Sequence, residues 1–90
     1  MPSCQIVIIN KLGLHARAAA KFVSVANSFP CQITIGRDLD SLCSGKNIMS
    51  VMMLAASKGT ELLICAEGEQ AAEALAALQE LIELRFHEDC

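Results

Sequence analysis

The sequence predicts a single α+β domain, a two-layer sandwich with the element order β-α-β-β-α-β-α over the whole chain. Three observations predict it. Short β-branched runs alternate with longer segments whose apolar residues recur at helical spacing. Each helical segment has a wide apolar face and the strands bury one side, so sheet and helices must cover one another. Ninety residues without a repeat, linker or low-complexity tract are enough for one core and too few for two. With 53% hydrophobic residues but three Phe and no Trp or Tyr, that core must be built from Ile, Val, Leu, Met and Ala.

"CQIVIIN" is β-branched and weakly alternating, a mostly buried first strand, and "KLGLH" is a loop. In "ARAAAKFVSVANS", Ala19, Phe22, Val23 and Ala26 fall at i, i+3, i+4 and i+7, one face of a helix. The helix ends near Asn27 or Ser28, because Pro30 disfavours helical backbone at Phe29. "CQITIG" places Ile33 and Ile35 on one face of a second strand, "RDLD" supplies turn residues, and "SLCSG" returns antiparallel as a short third strand. "KNIMSVMMLAASKG" is a helix with Asn47 as N-cap and Gly59 as its stop, apolar almost all round. "TELLICAEG" is the fourth strand. The final helix, "EQAAEALAALQELIELRF", aligns Ala71, Ala74, Leu75, Leu78, Leu81 and Ile82 in one stripe. Glu69 and Glu73 at its start and Arg85 at its end complement the helix dipole.

Composition excludes several function classes. A formal charge of −3 with so few aromatics does not suit a nucleic-acid binder. No apolar run is long enough to span a membrane, and "MPSCQIVIIN" lacks the basic start and cleavage pattern of a signal peptide, so a cytoplasmic protein is expected. Five cysteines without a C-x-x-C pair are neither a disulfide framework nor a zinc pattern. Cys4, Cys31, Cys43 and Cys65 are expected as small buried hydrophobes and Cys90 as an exposed thiol. The terminal "FHEDC" offers His87 and Cys90, too few donors for a metal, and is expected to be a solvated end.

One local pattern carries chemistry. In "NKLGLHARAAAK", His15 stands at the N-terminus of the first helix, with Arg17 two residues on. The free amides of Ala16, Arg17 and Ala18 and the helix dipole favour an anion there, and the Arg17 guanidinium is a fork for phosphate or carboxylate oxygens. Such positive surroundings favour a neutral, nucleophilic imidazole. Gly13 lets the loop backbone approach closely. Taken alone, the pattern fits an ordinary surface pair as well as a site. No second carboxylate is visible nearby and no Ser or Cys lies in the same loop, which disfavours hydrolase or acyl-transfer chemistry and leaves phosphate handling ahead.

"NKLGLHARAAAKFV" together with "GKNIMSVMMLAASKGTELLICAEGE" and the final amphipathic helix resembles the histidine-containing phosphocarrier family, HPr, including its nitrogen-branch form NPr. The resemblance runs from about Ser3 to about Phe86. It implies an open-faced sandwich in which four antiparallel strands are covered on one face by three helices. It also implies a carrier, not an enzyme, without metal or cofactor. His15 would take a phosphoryl group on Nδ1 from phosphorylated enzyme I, charged by phosphoenolpyruvate, and pass it to an enzyme IIA domain, in sugar uptake or nitrogen-linked regulation. Arg17 matches the arginine that stabilises the phosphoryl group. Ile48, Met49 and Met52 would dock both partners, Lys21 would steer acidic ones, and a monomer is the simpler expectation for a shuttle. The alternative is a regulatory docking module of the same fold that works without phosphotransfer.

Two departures from the family pattern stand out. Ala18 replaces a proline, restoring an amide and giving up preorganisation. Asn47 replaces the serine that a regulatory kinase modifies in many members; it caps a helix equally well but has no hydroxyl to phosphorylate.

Overall fold

The computed structural model describes residues 2–88. The strands are β1 (Ser3–Val7), β2 (Gln32–Gly36), β3 (Cys43–Ser44) and β4 (Glu61–Glu67). The helices are α1 (Ala16–Asn27), α2 (Ile48–Met53) and α3 (Ala71–Glu83). The sheet order is β1-β4-β2-β3, antiparallel at every pairing, with Cys4 opposite Ile64 and Thr34 opposite both Cys65 and Ser44. The expected open-faced α+β sandwich is the one formed.

Strand alternation explains the layering. Ile6, Ile33, Ile35, Leu62, Ile64 and Ala66 are buried in one cluster with the helices, while Gln5, Val7, Gln32, Glu61 and Glu67 are exposed. α1 contributes Ala19, Phe22, Val23 and Ala26 to that cluster, and also Ala18. All six residues of the expected α3 stripe are buried. Cys31 and Cys65 are buried as expected; Cys4 and Cys43 are only half-buried. Burial pushes the thiols of Cys4 and Cys43 up, which disfavours the reactive thiolate. Cys90 lies outside the described residues.

Three expectations need correction. The third strand is two residues long, and its approach "RDLD" winds into a 3-10 turn at Leu39–Ser41, where Asp38 caps the amide of Asp40. α2 does not run to Gly59 but stops after Met53, because Ala55 turns into left-handed backbone (φ 50°). The chain leaves the helix there so that the Ala56 carbonyl can accept from the Leu14 amide at 2.9 Å, and Gly59 instead donates to Ile8 at 2.7 Å. The last segment is not one helix to Phe86. α3 ends at Glu83, and Arg85, Phe86 and His87 form a tight turn, all three in left-handed backbone (φ 54°, 55° and 62°).

Such backbone costs a non-glycine residue about 1–2 kcal/mol. Its offset is visible: Phe86 is fully buried, and its carbonyl accepts from Lys21 Nζ at 2.6 Å. The turn thus folds the end of the chain back over the start of α1.

Candidate functional site

His15 is the N-cap of α1. Its backbone is extended (φ −74°, ψ 178°), and its carbonyl takes the first helical bond, from Ala19 N at 2.8 Å. The preceding loop is held by Gly13 (φ 68°), where a Cβ would lie 2.4 Å from the Ala56 carbonyl oxygen. Glycine is therefore required for the loop to press on the turn after α2.

The imidazole is a quarter exposed and both nitrogens are engaged. Nδ1 accepts from the Arg17 amide at 3.3 Å, and Nε2 meets a carboxylate oxygen of Glu88. An acceptor at Nδ1 and a carboxylate at Nε2 assign the proton to Nε2 and the lone pair to Nδ1. The amide of Arg17 is consequently not free, as the sequence reading had it, but already turned onto the ring. Ala16 and Ala18 stand in the same first turn, where helical amides have no intrahelical acceptor. The side chain of Arg17 is exposed, and the Ala18 methyl packs in the core where the family pattern has proline.

Glu88 is the residue that sequence reasoning missed, and it corrects two readings. A carboxylate does stand beside the imidazole, and the chain end is not simply solvated: the Glu88 side chain is 12% exposed. Its other oxygen accepts from Asn10 Nδ2 at 2.9 Å, and the same nitrogen donates to the Gly13 carbonyl at 2.8 Å. Asn10 is fully buried, and its Oδ1 has no hydrogen-bond partner among the described residues. Buried amides without apolar purpose are held for position, and here Asn10 ties loop, chain end and imidazole together. Nothing local signals this, since Glu88 lies 73 residues from His15 in sequence.

Burial opposes ionisation of Glu88, but the hydrogen bonds from Asn10 and His15, with the charge of Lys21, prevail and hold its carboxyl below the ordinary 4.5. A carboxyl with a lowered folded value stabilises the native state above its unfolded value and loses that contribution as pH falls through the folded one. The side-chain carboxyl signal of Glu88 is accordingly expected to titrate below pH 4.5 by NMR, with the His15 contact released on the acid side. A midpoint at or above 4.5 would contradict the bonding pattern.

The other expected site residues divide into two groups. Lys21 has its ammonium on the Phe86 carbonyl. Asn47 caps α2, its Oδ1 accepting from Ser50 N at 3.1 Å. α2 commits only Val51 to the core; Ile48, Met49 and Met53 are exposed at 42%, 66% and 79%, and Met52 at 36%. A helix this apolar leaves surplus hydrophobic surface facing outward. α2 packs on α1, and the turn that follows it is bonded to the loop carrying His15. Among the described residues no three His, Cys, Asp or Glu side chains gather as a metal site, and no helix is long and apolar enough to cross a membrane.

Chemically, the arrangement is an imidazole whose Nδ1 accepts from the first turn of α1 and whose Nε2 faces a carboxylate, with the exposed Arg17 side chain borne by the same turn. Comparison with known proteins agrees in kind. The family model described as "PTS HPr component phosphorylation site" matches residues 2–83. The chain is 64% identical over 88 residues to the phosphocarrier protein HPr of Pseudomonas aeruginosa, covering 98% of each. It is 48% identical over 83 residues to that of Neisseria meningitidis serogroup B, covering 92% of each. Among solved structures, HPr-C-His from Thermoanaerobacter tengcongensis is similar with a TM-score of 0.93 at 41% identity over the full length of both chains. HPr from Bacillus anthracis is similar with a TM-score of 0.84 at 38% identity, over 90% of this chain and 95% of that one.

Proposed function

The chain belongs to the HPr family of the bacterial phosphotransferase system and is a phosphocarrier, and from that premise we propose that His15 carries the phosphoryl group on Nδ1. The group comes from phosphorylated enzyme I and goes to an enzyme IIA domain. The observation that carries the assignment is the state of the ring: Nε2 is committed to Glu88, while Nδ1 points its lone pair at the first turn of α1.

The steps follow from that geometry. The incoming phosphoryl group displaces the weak 3.3 Å contact between Nδ1 and the Arg17 amide. Its oxygens then take up the amides of Ala16, Arg17 and Ala18 and the guanidinium of Arg17, which answer the charge that develops on the transferring group. Ile48, Met49 and Met52 on α2 supply an apolar contact for both partners in turn; thioether side chains adapt to surfaces of different shape. Lys21 adds positive potential beside the site. The protein is a carrier without a cofactor, since the phosphoryl group is its cargo, and acts as a cytoplasmic monomer. Asn47, the N-cap of α2, offers no hydroxyl to a serine kinase at that position.

Incubation with phosphoenolpyruvate and enzyme I is expected to yield an acid-labile, base-stable phosphoramidate. An unlabelled chain beside an active enzyme I would favour a docking module without phosphotransfer. In Arg17→Ala the fold should persist, because the side chain is exposed, while the labelling rate falls on the order of 10- to 100-fold, the scale of one lost charge-stabilising donor. A native rate in that variant would remove Arg17 from the site. Transfer compared across the available enzyme IIA domains assigns the chain to sugar uptake or to nitrogen-linked regulation.

A further inference from the structure

We infer that Glu88 is a positioning residue that decides which nitrogen of His15 is open to phosphorylation and keeps a proton on the other. The inference rests on the reading of His15 as phosphoryl acceptor and extends it to the chain end, since the family match stops at residue 83, before the turn that brings Glu88 in. Four observations carry it. Glu88 sits on Nε2, and its second oxygen is fixed by the fully buried Asn10. The turn that delivers it takes three consecutive non-glycine residues through left-handed backbone, a conformation kept only where the surroundings over-determine it. Those surroundings are the buried Phe86 ring and the bond from Lys21 to the Phe86 carbonyl.

The consequence for the reaction can be written out. In the Nε2–H form the Nδ1 lone pair attacks phosphorus, the donor's P–N bond breaks, and its electron pair returns to the donor's ring nitrogen. The product ring carries a positive charge shared between Nδ1–P and Nε2–H. The Glu88 carboxylate faces that charge and keeps the Nε2 proton in place. On onward transfer the P–N electron pair returns to Nδ1 and the imidazole leaves neutral, with no proton to be gained or lost. A ring that had lost the Nε2 proton to solvent would have to leave as an anion, a much poorer leaving group. The charged or titratable side chains borne by the described elements around the ring are Glu88, Arg85 and His87 from the terminal turn, Arg17 and Lys21 from α1, Lys11 from the preceding loop and Lys58 from the turn after α2. Among these described side chains, Glu88 is the negative one.

The test loads the ring chemically, with phosphoramidate in place of enzyme I, so that it stands apart from whether enzyme I recognises the chain. His87, exposed in the same molecule, serves as the uncovered reference. Two-dimensional proton–nitrogen NMR distinguishes Nδ1- from Nε2-phosphohistidine at each position. The native chain is expected to carry the group on Nδ1 at His15. In Glu88→Ala the Nε2 share at His15 should rise by about tenfold towards the pattern of His87, the scale of losing one charge-assisted hydrogen bond. In Glu88→Gln, which keeps size and polarity but removes the charge, hydrolysis of the Nδ1 product near pH 8 should slow by roughly threefold or more, as the leaving ring loses its proton. A merely structural role for Glu88 would move the melting temperature but neither readout. A native product ratio in Glu88→Ala would overturn the masking of Nε2, and a native hydrolysis rate in Glu88→Gln would overturn the retention of its proton.

Discussion

His15→Ala is expected to abolish acid-labile labelling from phosphoenolpyruvate entirely while leaving a folded protein. The two halves of that result have separate causes. The ring is the proposed phosphoryl acceptor, and the other histidine, His87, is exposed on the terminal turn and is not the cap of an α-helix. Nothing there reproduces the geometry at position 15. The fold survives because the ring is not in the core. Its loss removes one cap contact, worth about 0.5–2 kcal/mol, and leaves the Glu88 carboxylate with Asn10 alone. Circular dichroism and melting would show a modest shift beside a complete loss of label. Residual label at the native rate would place the acceptor elsewhere, and unfolding of the variant would make His15 a structural residue first.

Phe86→Ala is expected to produce the largest stability change, about 3–5 kcal/mol, the range for removing a fully buried aromatic ring. For a domain of this size that is a large fraction of the total stability, and the melting temperature should fall by roughly 15 °C or more. The effect exceeds a cavity alone in its consequences. Without the ring, only the Lys21 bond is left to offset the left-handed backbone of Arg85, Phe86 and His87, at about 1–2 kcal/mol each. The turn should relax, the Lys21 bond to the Phe86 carbonyl should be lost, and Glu88 should leave His15. Phe86→Leu separates the two contributions: it restores most of the apolar burial and should recover the Glu88 contact, read from the His15 ring signals. If Phe86→Ala melted within a degree or two of the native chain, the turn would not be anchored by this ring.

Much of the architecture was readable because it is local. The stripe Ala71, Ala74, Leu75, Leu78, Leu81 and Ile82 follows from period alone, and all six are buried. Asn47 caps α2, and His15 caps α1, because a short polar or acceptor side chain before an amide-rich first turn has few better conformations. The surplus of apolar residues on α2 was equally plain; a six-residue helix cannot bury Ile48, Met49, Val51, Met52 and Met53 on one side. What was misread also has a common cause. Gly59 looked like a helix stop, yet a tertiary bond from Leu14 to the Ala56 carbonyl ended the helix earlier, through an alanine in left-handed backbone. Lys21 was read for its charge alone, and its bond to a carbonyl from the far end of the chain is a tertiary contact.

The proposed acceptor, its helix and its arginine are thus properties of the thirteen residues from His15 to Asn27, determined by sequence through spacing, capping and the helix dipole. The orientation of that acceptor is not. It comes from Glu88 and Asn10, one at the far end of the chain and one in the loop ahead of α1. They meet only because Phe86 is drawn into the core strongly enough to bend three ordinary residues into a left-handed turn. No local preference favours that turn; apolar burial imposes it, and burial is decided only when the whole chain has folded.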